Sequence, residues 1–209
     1  ETTPRMGMGH SAEFGCALGL FFNRSDKDIV EHSTNHMVEQ FHGEWHDETD
    51  KVGSIAINLQ NAIKEHFPDF GVPNLFQRYR RHSLSNLEHP ITTVTDFEWE
   101  HMIVDTKATL AVPSKPREDH VRQQSLYSVL IGKPATLVYA SHKKSAVFEL
   151  DEETIMSNYE TMINSFESLE LFMKTVPNIK TFKKMIPLNT DGFKWSEEDR
   201  KYAQENWKT

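Results

Sequence analysis

Cysteine and long apolar segments are what this chain of 209 residues has least of. Its single cysteine, Cys16, excludes an intramolecular disulfide and any zinc or iron–sulfur site built from four cysteines of this chain. No apolar run reaches the length of about eighteen residues that a membrane-spanning helix needs. The start at Glu1 has no signal-peptide core, and one interpretation of it is a trimmed or excised domain. The scarcity of cysteine favours a reducing compartment, and we expect a cytoplasmic protein.

The charge balance of the chain is acidic. A formal net charge of −8 argues against a general nucleic-acid coat protein, because such proteins are usually basic. It does not exclude a nuclease, since a metal site itself requires acids and the cation offsets their field. Basic residues do cluster at Arg78–Arg81 and at Lys115–Arg122. For each cluster taken alone, an ordinary solvated face is the simpler interpretation.

Apolar periodicity and turn residues predict one α/β domain over residues 1–209, in which a mixed central sheet is flanked by helices. Residues 11–66 have a mostly helical pattern, which ends at the Pro- and Gly-rich segment 67–73. The N-terminal helical part is thus 1–70, the α/β core 75–150 and the C-terminal helical part 151–209. The further predicted elements are strands at 75–82, 91–99 and 102–107, a helix at 118–131, strands at 135–141 and 146–150, a long helix from 151 and a short helix from Ser196 to about Trp207.

Two aspartates and a lysine lie close together in the predicted hairpin of 91–107. Asp96 is on its first strand, and Asp105 and Lys107 are on its second strand. Because side chains alternate along a strand, Asp105 and Lys107 share one face. Two carboxylates can hold a divalent cation, and an ammonium can steady a phosphate or activate a water, as metal-assisted phosphodiester hydrolysis requires. The alternative is a purely structural buried salt bridge between Lys107 and an aspartate.

The next predicted helix carries a second polar pair. Gln123 and Tyr127 are four residues apart and therefore lie on one helix face. In the same part of the chain, Lys115 and Arg122 are our candidates for binding an anionic substrate.

The series Asp-x8-Asp-x-Lys followed by Gln-x3-Tyr resembles the core of the PD-(D/E)XK nuclease superfamily. Within it, the chain is most similar to the RecB-like and phage exonuclease branch, which includes the mitochondrial genome maintenance exonuclease. The resemblance covers residues 91–150 well and the rest of the chain loosely. Thr95 stands where the superfamily usually has proline. The resemblance implies a restriction-endonuclease-like core and, for a phage-like chain, a place in the host cytoplasm.

The resemblance also implies a role for each residue of the series. Asp96 and Asp105 would bind Mg²⁺ or Mn²⁺, ions that prefer hard oxygen ligands. Lys107 would orient the attacking water or neutralise charge that grows on the phosphate. Gln123 would hold the substrate backbone or Lys107, and Tyr127 would pack near the DNA end.

A further metal ligand is usual on the N-terminal helix of this branch. His36, with Glu39 as second choice, resembles the His-x-x-Glu step of that helix, and the two residues share one face. A partly exposed helix histidine without a metal is an equal alternative, and His42 and His46 compete for the role. The segment 11–16 resembles one that carries a cluster-binding cysteine in the branch, but with one cysteine we expect no iron–sulfur cluster. Whether Glu13 in that segment reaches the site stays open.

The function that the resemblance implies is metal-dependent DNA exonuclease activity, on strand ends or single strands, in replication or recombination. One alternative is an RNA endonuclease domain of the cap-snatching type found in viral polymerases. Another is a catalytically inactive nucleic-acid-binding module. The expected partner is DNA, with no membrane association, and the oligomeric state stays open.

Overall fold

The computed structural model describes residues 3–176, 178, 180–181 and 196–206. Within them, the helices are α1 Pro4–Phe22, α2 Asp26–Gln40, α3 Thr49–His66, α4 Glu118–Ile131, α5 Glu152–Thr175 and α6 Glu197–Asn206, with a short 3-10 turn at Pro68–Phe70. The strands are β1 Leu75–His82, β2 Ile91–Glu98, β3 Ile103–Ala108, β4 Ala135–Ala140 and β5 Ser145–Glu149. Trp207, the predicted end of the last helix, lies outside the described residues. No described helix is both long and apolar enough to cross a membrane.

The first helix starts earlier than the pattern from residue 11 predicts. The Thr3 hydroxyl accepts a hydrogen bond from the backbone N–H of Met6 at 3.3 Å, and Pro4 occupies the first turn, so α1 begins with a regular N-cap. Further along α1, a Cβ added to Gly15 would lie 2.8 Å from the Cβ of Ala56 on α3. The glycine therefore allows α1 and α3 to pack at close range.

The strands form one mixed sheet in the order β1-β2-β3-β4-β5. All neighbouring strands are antiparallel except β3 and β4, which are parallel and are joined through α4. The predicted hairpin is confirmed, with Phe97 paired to Val104 and Glu98 paired to Ile103. The mixed central sheet and its flanking helices are confirmed with it.

Alternation along β4 shows which helices cover each face of the sheet. Val138 and Ala140 belong to the buried cluster formed with α1–α3. Leu137 and Tyr139 point the other way and pack with Val121 of α4. Strand β4 is thus buried on both faces, as is usual for a strand in a parallel pair.

The chain divides into two compact units. The first comprises Glu1–Leu84 and His89–Met162, and contains the sheet. The second comprises Ser85–Glu88 and Ile163–Thr209; within it, Asn86 donates to Glu167 at 2.6 Å and Lys174 pairs with Glu88 at 2.9 Å. The expectation of one domain over residues 1–209 stays a prediction.

A buried glutamate ties β1, β2 and the loop after α4 together. The side chain of Glu98 is 4% exposed, and its carboxylate pairs with Arg80 and with Lys133, each at 2.7 Å. Lys133 also donates to the carbonyl of Trp99 at 2.7 Å. Burial opposes the charge on Glu98, but the hydrogen bonds from Lys133 and Arg80 outweigh it and lower the pKa of Glu98. Arg80, one member of the basic cluster, therefore has a structural role.

We expect Glu98→Gln to lower the free energy of unfolding by about 1–3 kcal/mol, because it removes the anion between two cations. A carboxyl with a lowered pKa stabilises the fold above its usual pKa of 4.5 and loses that contribution as the pH falls through the lower folded value. The difference between wild type and variant in urea unfolding should therefore be full at neutral pH and shrink in acid. Glu100→Gln, at an exposed position in the adjacent turn, is the matched control. An equal loss of stability in both variants would contradict the assignment.

Candidate active site

A buried ion pair on β3 is bonded to the first turns of α4. Lys107 Nζ lies 2.5 Å from Asp105 Oδ2, and the two side chains are 21% and 3% exposed. Lys107 Nζ also donates to Gln123 Oε1 at 3.3 Å, and Gln123 Nε2 donates to the Tyr127 hydroxyl at 3.4 Å. The four residues of the sequence motif on β3 and α4 are therefore joined in one chain of contacts.

Asp96 is fixed by the neighbouring strand at the point where β2 and β3 stop pairing. The last register pair toward the site is Phe97 with Val104. Beyond it, Asp96 Oδ2 accepts the backbone N–H of Thr106 at 2.7 Å and the Thr106 hydroxyl at 3.0 Å. The Asp96 carboxylate thus accepts the backbone hydrogen bond that a partner strand would otherwise accept from Thr106. These bonds orient the carboxylate toward the end of β3.

Glu13 of α1 is a third acid at this site, and Gln77 of β1 holds it. Gln77 Nε2 donates to Glu13 Oε1 at 3.2 Å. The backbone of Gln77 has φ +47°, a left-handed conformation that is unusual for a residue other than glycine, and such strain is often found at functional sites. Burial is the main cause that raises the pKa of Glu13 to about 7, and the charge of Asp105 adds to the rise. The hydrogen bond from Gln77 acts in the opposite direction.

The cluster carries more negative than positive charge, and its groups are largely shielded from water. Burial, then Asp105 and Glu13, raise the pKa of Asp96 well above its ordinary value. Burial disfavours the charge on Lys107, but the attraction of Asp105 and Asp96 outweighs burial and raises its pKa. Three carboxyl groups thus share one ammonium, and two of the three carboxyls hold their protons more tightly than usual.

This cluster borders an open cleft of about 510 Å³, which we call the carboxylate cleft. Its wall includes Glu13, Asp96 and Lys107, together with His120 and Tyr139. The Tyr139 hydroxyl accepts a backbone N–H at 3.2 Å and lies 2.6 Å from His120 Nδ1, so its own proton is available for that imidazole nitrogen. Burial and the charge of Lys107 lower the pKa of His120, which favours the neutral ring.

The two residues predicted on α2 do not line the carboxylate cleft. His36 lines a neighbouring cleft with Phe14 and Gln40, and Glu39 is exposed. His36 Nδ1 is 2.9 Å from the Ser11 hydroxyl and 3.0 Å from Gln40 Nε2, so that nitrogen is already hydrogen-bonded. The structure therefore brings Asp96, Asp105, Lys107, Gln123 and Tyr127 together, and leaves His36 and Glu39 apart from them.

The two predicted substrate-binding cations are on the surface. Lys115 is exposed in the loop before α4. Arg122 is exposed on α4 and pairs with Glu118 at 3.1 Å. Surface pairs of this kind contribute little to stability, so Arg122 is free to exchange Glu118 for another anion at small cost.

Sequence reasoning left Glu13 open and missed Gln77 and His120. The one available signal was Glu13 itself, since it is the sole acid in the helix sequence of α1. In the part of the chain that the structure describes, no three His, Cys, Asp or Glu side chains are grouped so that they could hold a metal ion as they stand. The site is thus an arrangement of acids around a lysine within a mixed α/β fold.

Comparison with known proteins gives distant structural likenesses. Neither a protein-family model nor a curated protein matches the chain. A solved structure from Eubacterium rectale, named "Putative exonuclease", has 13% identity and a TM-score of 0.49, with 85% of this chain and 74% of that chain covered. The structure of SSO0001 has 16% identity and a TM-score of 0.35, with 78% and 75% covered. Both likenesses are too distant to carry an argument about this chain.

The raised pKa of Glu13 predicts how stability depends on pH without metal. A carboxyl whose pKa rises from 4.5 to about 7 on folding makes the fold less stable as the pH rises through that interval. We expect Glu13→Gln to raise the melting temperature at pH 8 by on the order of 2–4 °C, with little change at pH 5. The glutamine oxygen can still accept from Gln77. Melting curves in EDTA test this, with Glu39→Gln at an exposed position as control; a gain that is the same at both pH values would contradict it.

Proposed function

We propose that the chain is a metal-dependent nuclease of the PD-(D/E)XK superfamily, in its RecB-like branch, which hydrolyses phosphodiester bonds of DNA at ends or on single strands. The observation that carries the proposal is the contact of Lys107 with Asp105 and Gln123, beside Asp96 and Glu13 in one open cleft. The cleft lies where the parallel strands β3 and β4 end, the usual position for a ligand in an α/β sheet. The choice of DNA rests on the Gln-x3-Tyr resemblance.

The carboxylates at the cleft have the chemistry that a divalent cation of the Mg²⁺ or Mn²⁺ type requires, although they would have to move closer together to bind one. Glu13, Asp96 and Asp105 offer hard carboxylate oxygens, which such ions prefer. The raised pKa values of Glu13 and Asp96 indicate more negative charge than Lys107 alone can balance. A bound dication would remove this imbalance. Its chemistry there would be to polarise a phosphoryl oxygen and lower the pKa of a bound water.

The residues of the chain have separate tasks in the proposed reaction. Asp96 and Asp105, with Glu13, would hold the cation. Lys107 supplies positive charge beside the scissile phosphate, where negative charge increases as the water attacks. Gln123 positions Lys107 by accepting a hydrogen bond from its ammonium group. Preorganised groups of this kind act without rearrangement at the moment of reaction.

We expect Asp105→Ala and Lys107→Ala to stay folded and to lose cleavage by at least about 100-fold, because each removes charge at the reacting phosphate. The measurement is digestion of end-labelled single- and double-stranded DNA with Mg²⁺ or Mn²⁺, with capped RNA in parallel. Digestion of RNA in preference to DNA would overturn the assignment of DNA.

The matched controls are Asp69→Ala and Lys143→Ala, at exposed positions outside the cleft lining. Both should cut like wild type. Asp69 also follows Pro68, so this variant tests the place where the sequence does spell the Pro-Asp half of the superfamily motif. Cleavage retained by Asp105→Ala would show that the site is elsewhere. Failure of wild type to bind Mn²⁺ in calorimetry would favour the inactive binding module.

The role of Gln123 as a positioning residue can be tested separately. Gln123→Leu should lower kcat by about 10-fold with little change in KM, since it removes a contact to Lys107 and not one to the bulk of the substrate. In a Lys107→Ala background the same substitution should have almost no further effect. Equal effects of Gln123→Leu in both backgrounds would show that Gln123 acts independently of Lys107.

A further inference from the structure

A second cleft of about 410 Å³ lies next to the carboxylate cleft, and we call it the histidine cleft. Its lining is His10, Phe14, His36, Gln40, Phe76 and Gln77. His10 also lines the carboxylate cleft. The two clefts are linked a second time, because Gln77 lines the histidine cleft and donates to Glu13 in the carboxylate cleft. The two clefts therefore adjoin, and a strand whose phosphate lies in one can extend toward the other.

The lining of the histidine cleft is aromatic and polar, with no Lys, Arg, Asp or Glu. It therefore lacks the fixed charges that a phosphate or a hard cation such as Mg²⁺ would require. Phe14 and His36 stack on each other, with ring centroids 4.6 Å apart and planes inclined by 18°. Both rings are half-buried, and because each covers the inner face of the other, the pair offers a further ring only an outer face at the wall of the cleft. Such faces bind planar, uncharged rings by stacking.

The hydrogen bonds of His36 define what its ring offers. The Gln40 amide nitrogen can only donate, so His36 Nδ1 accepts from it at 3.0 Å, and the buried Ser11 hydroxyl lies 2.9 Å from the same nitrogen. In the neutral ring the proton is then on Nε2, which is a donor. Burial lowers the pKa of His36, which favours this neutral form.

We propose that the histidine cleft binds a nucleobase of the substrate strand, stacked on the outer face of the Phe14–His36 pair, beside the phosphate in the carboxylate cleft. The His36 Nε2–H and the side-chain oxygens of Gln40 and Gln77 would meet the polar edge of the base. The volume of the histidine cleft is in the range of small-ligand pockets. The inference rests on the proposed function, because it takes a nucleic-acid strand as the substrate. It also replaces metal ligation as the role of His36.

The test compares binding of short oligothymidylate with binding of an abasic chain of the same length and phosphate number. Fluorescence anisotropy in EDTA measures affinity without cleavage. Wild type should bind the thymidylate more tightly than the abasic chain. Phe14→Leu should weaken thymidylate binding by roughly 5- to 100-fold, the loss expected for one base–aromatic stack, and should leave abasic binding unchanged. Phe22→Leu is the matched control, because Phe22 is an exposed phenylalanine on the same helix and lines neither cleft.

Each outcome bears on the inference. Equal affinity of wild type for the two chains, no binding of either chain, or equal weakening of both by Phe14→Leu would overturn it. A cleavage assay with Asp105→Ala separates this failure from failure of the proposed function. Cleavage that depends on Asp105, together with no discrimination of bases through Phe14, would leave the nuclease and remove the base site. If Phe14 discriminates bases but wild type does not cleave, the base site would stand and the proposed nuclease function would fall.

Discussion

The contact between Lys107 and Asp105 is the interaction on which the rest of the site depends. Their side chains lie on one face of β3 because they are two residues apart, and burial makes their attraction stronger than it would be in water. Without the ammonium, Asp105 would face Asp96 and Glu13 across a poorly hydrated space. The arrangement therefore holds like charges together at a cost to folding stability, as is common where a site is arranged for a ligand.

The sheet topology explains why these groups meet at one end of β3. Pairing of β2 with β3 ends at Phe97 and Val104, so the strands separate and Asp96 can reach Thr106 with its side chain. On the other side, β3 pairs with β4 in parallel, and α4 crosses over one face with Gln123 toward Lys107. A cleft opens between diverging strands, and Glu13, Asp96 and Lys107 from three separate elements line it.

The parts of the structure that sequence predicts well are those defined by local patterns. The hairpin of β2 and β3, the relation of Asp105 to Lys107, and the α4 pair Gln123 and Tyr127 all follow from spacings of two or four residues. The strands within 75–150 and α4 agree with prediction to within about two residues, the accuracy expected for element ends. The start of α1 was missed because glycines at its beginning weaken the helical pattern.

The parts that sequence does not predict depend on contacts between distant segments. Glu13 meets Asp96 and Asp105 only because α1 packs against the sheet, and a helix sequence does not reveal which strand it will cover. The same reason separates His36 from the site. Its spacing to Glu39 is correct for one helix face, but that face borders the α1 side chains Ser11 and Phe14. Local periodicity in the sequence predicts which residues share a helix face, but only tertiary packing decides which element that face contacts.

The position of Glu13 on the first helix has a consequence for how the protein matures. About ninety residues of chain separate this acid from Asp105, and β4, which borders the site, follows later still. Loops of this length close slowly, so contacts of such separation form late in folding. A growing polypeptide therefore carries an incomplete set of acids until most of the first unit has left the ribosome. The site is complete only when the first unit has folded. A fragment that begins after α3 would lack Glu13 and therefore one of the three acids.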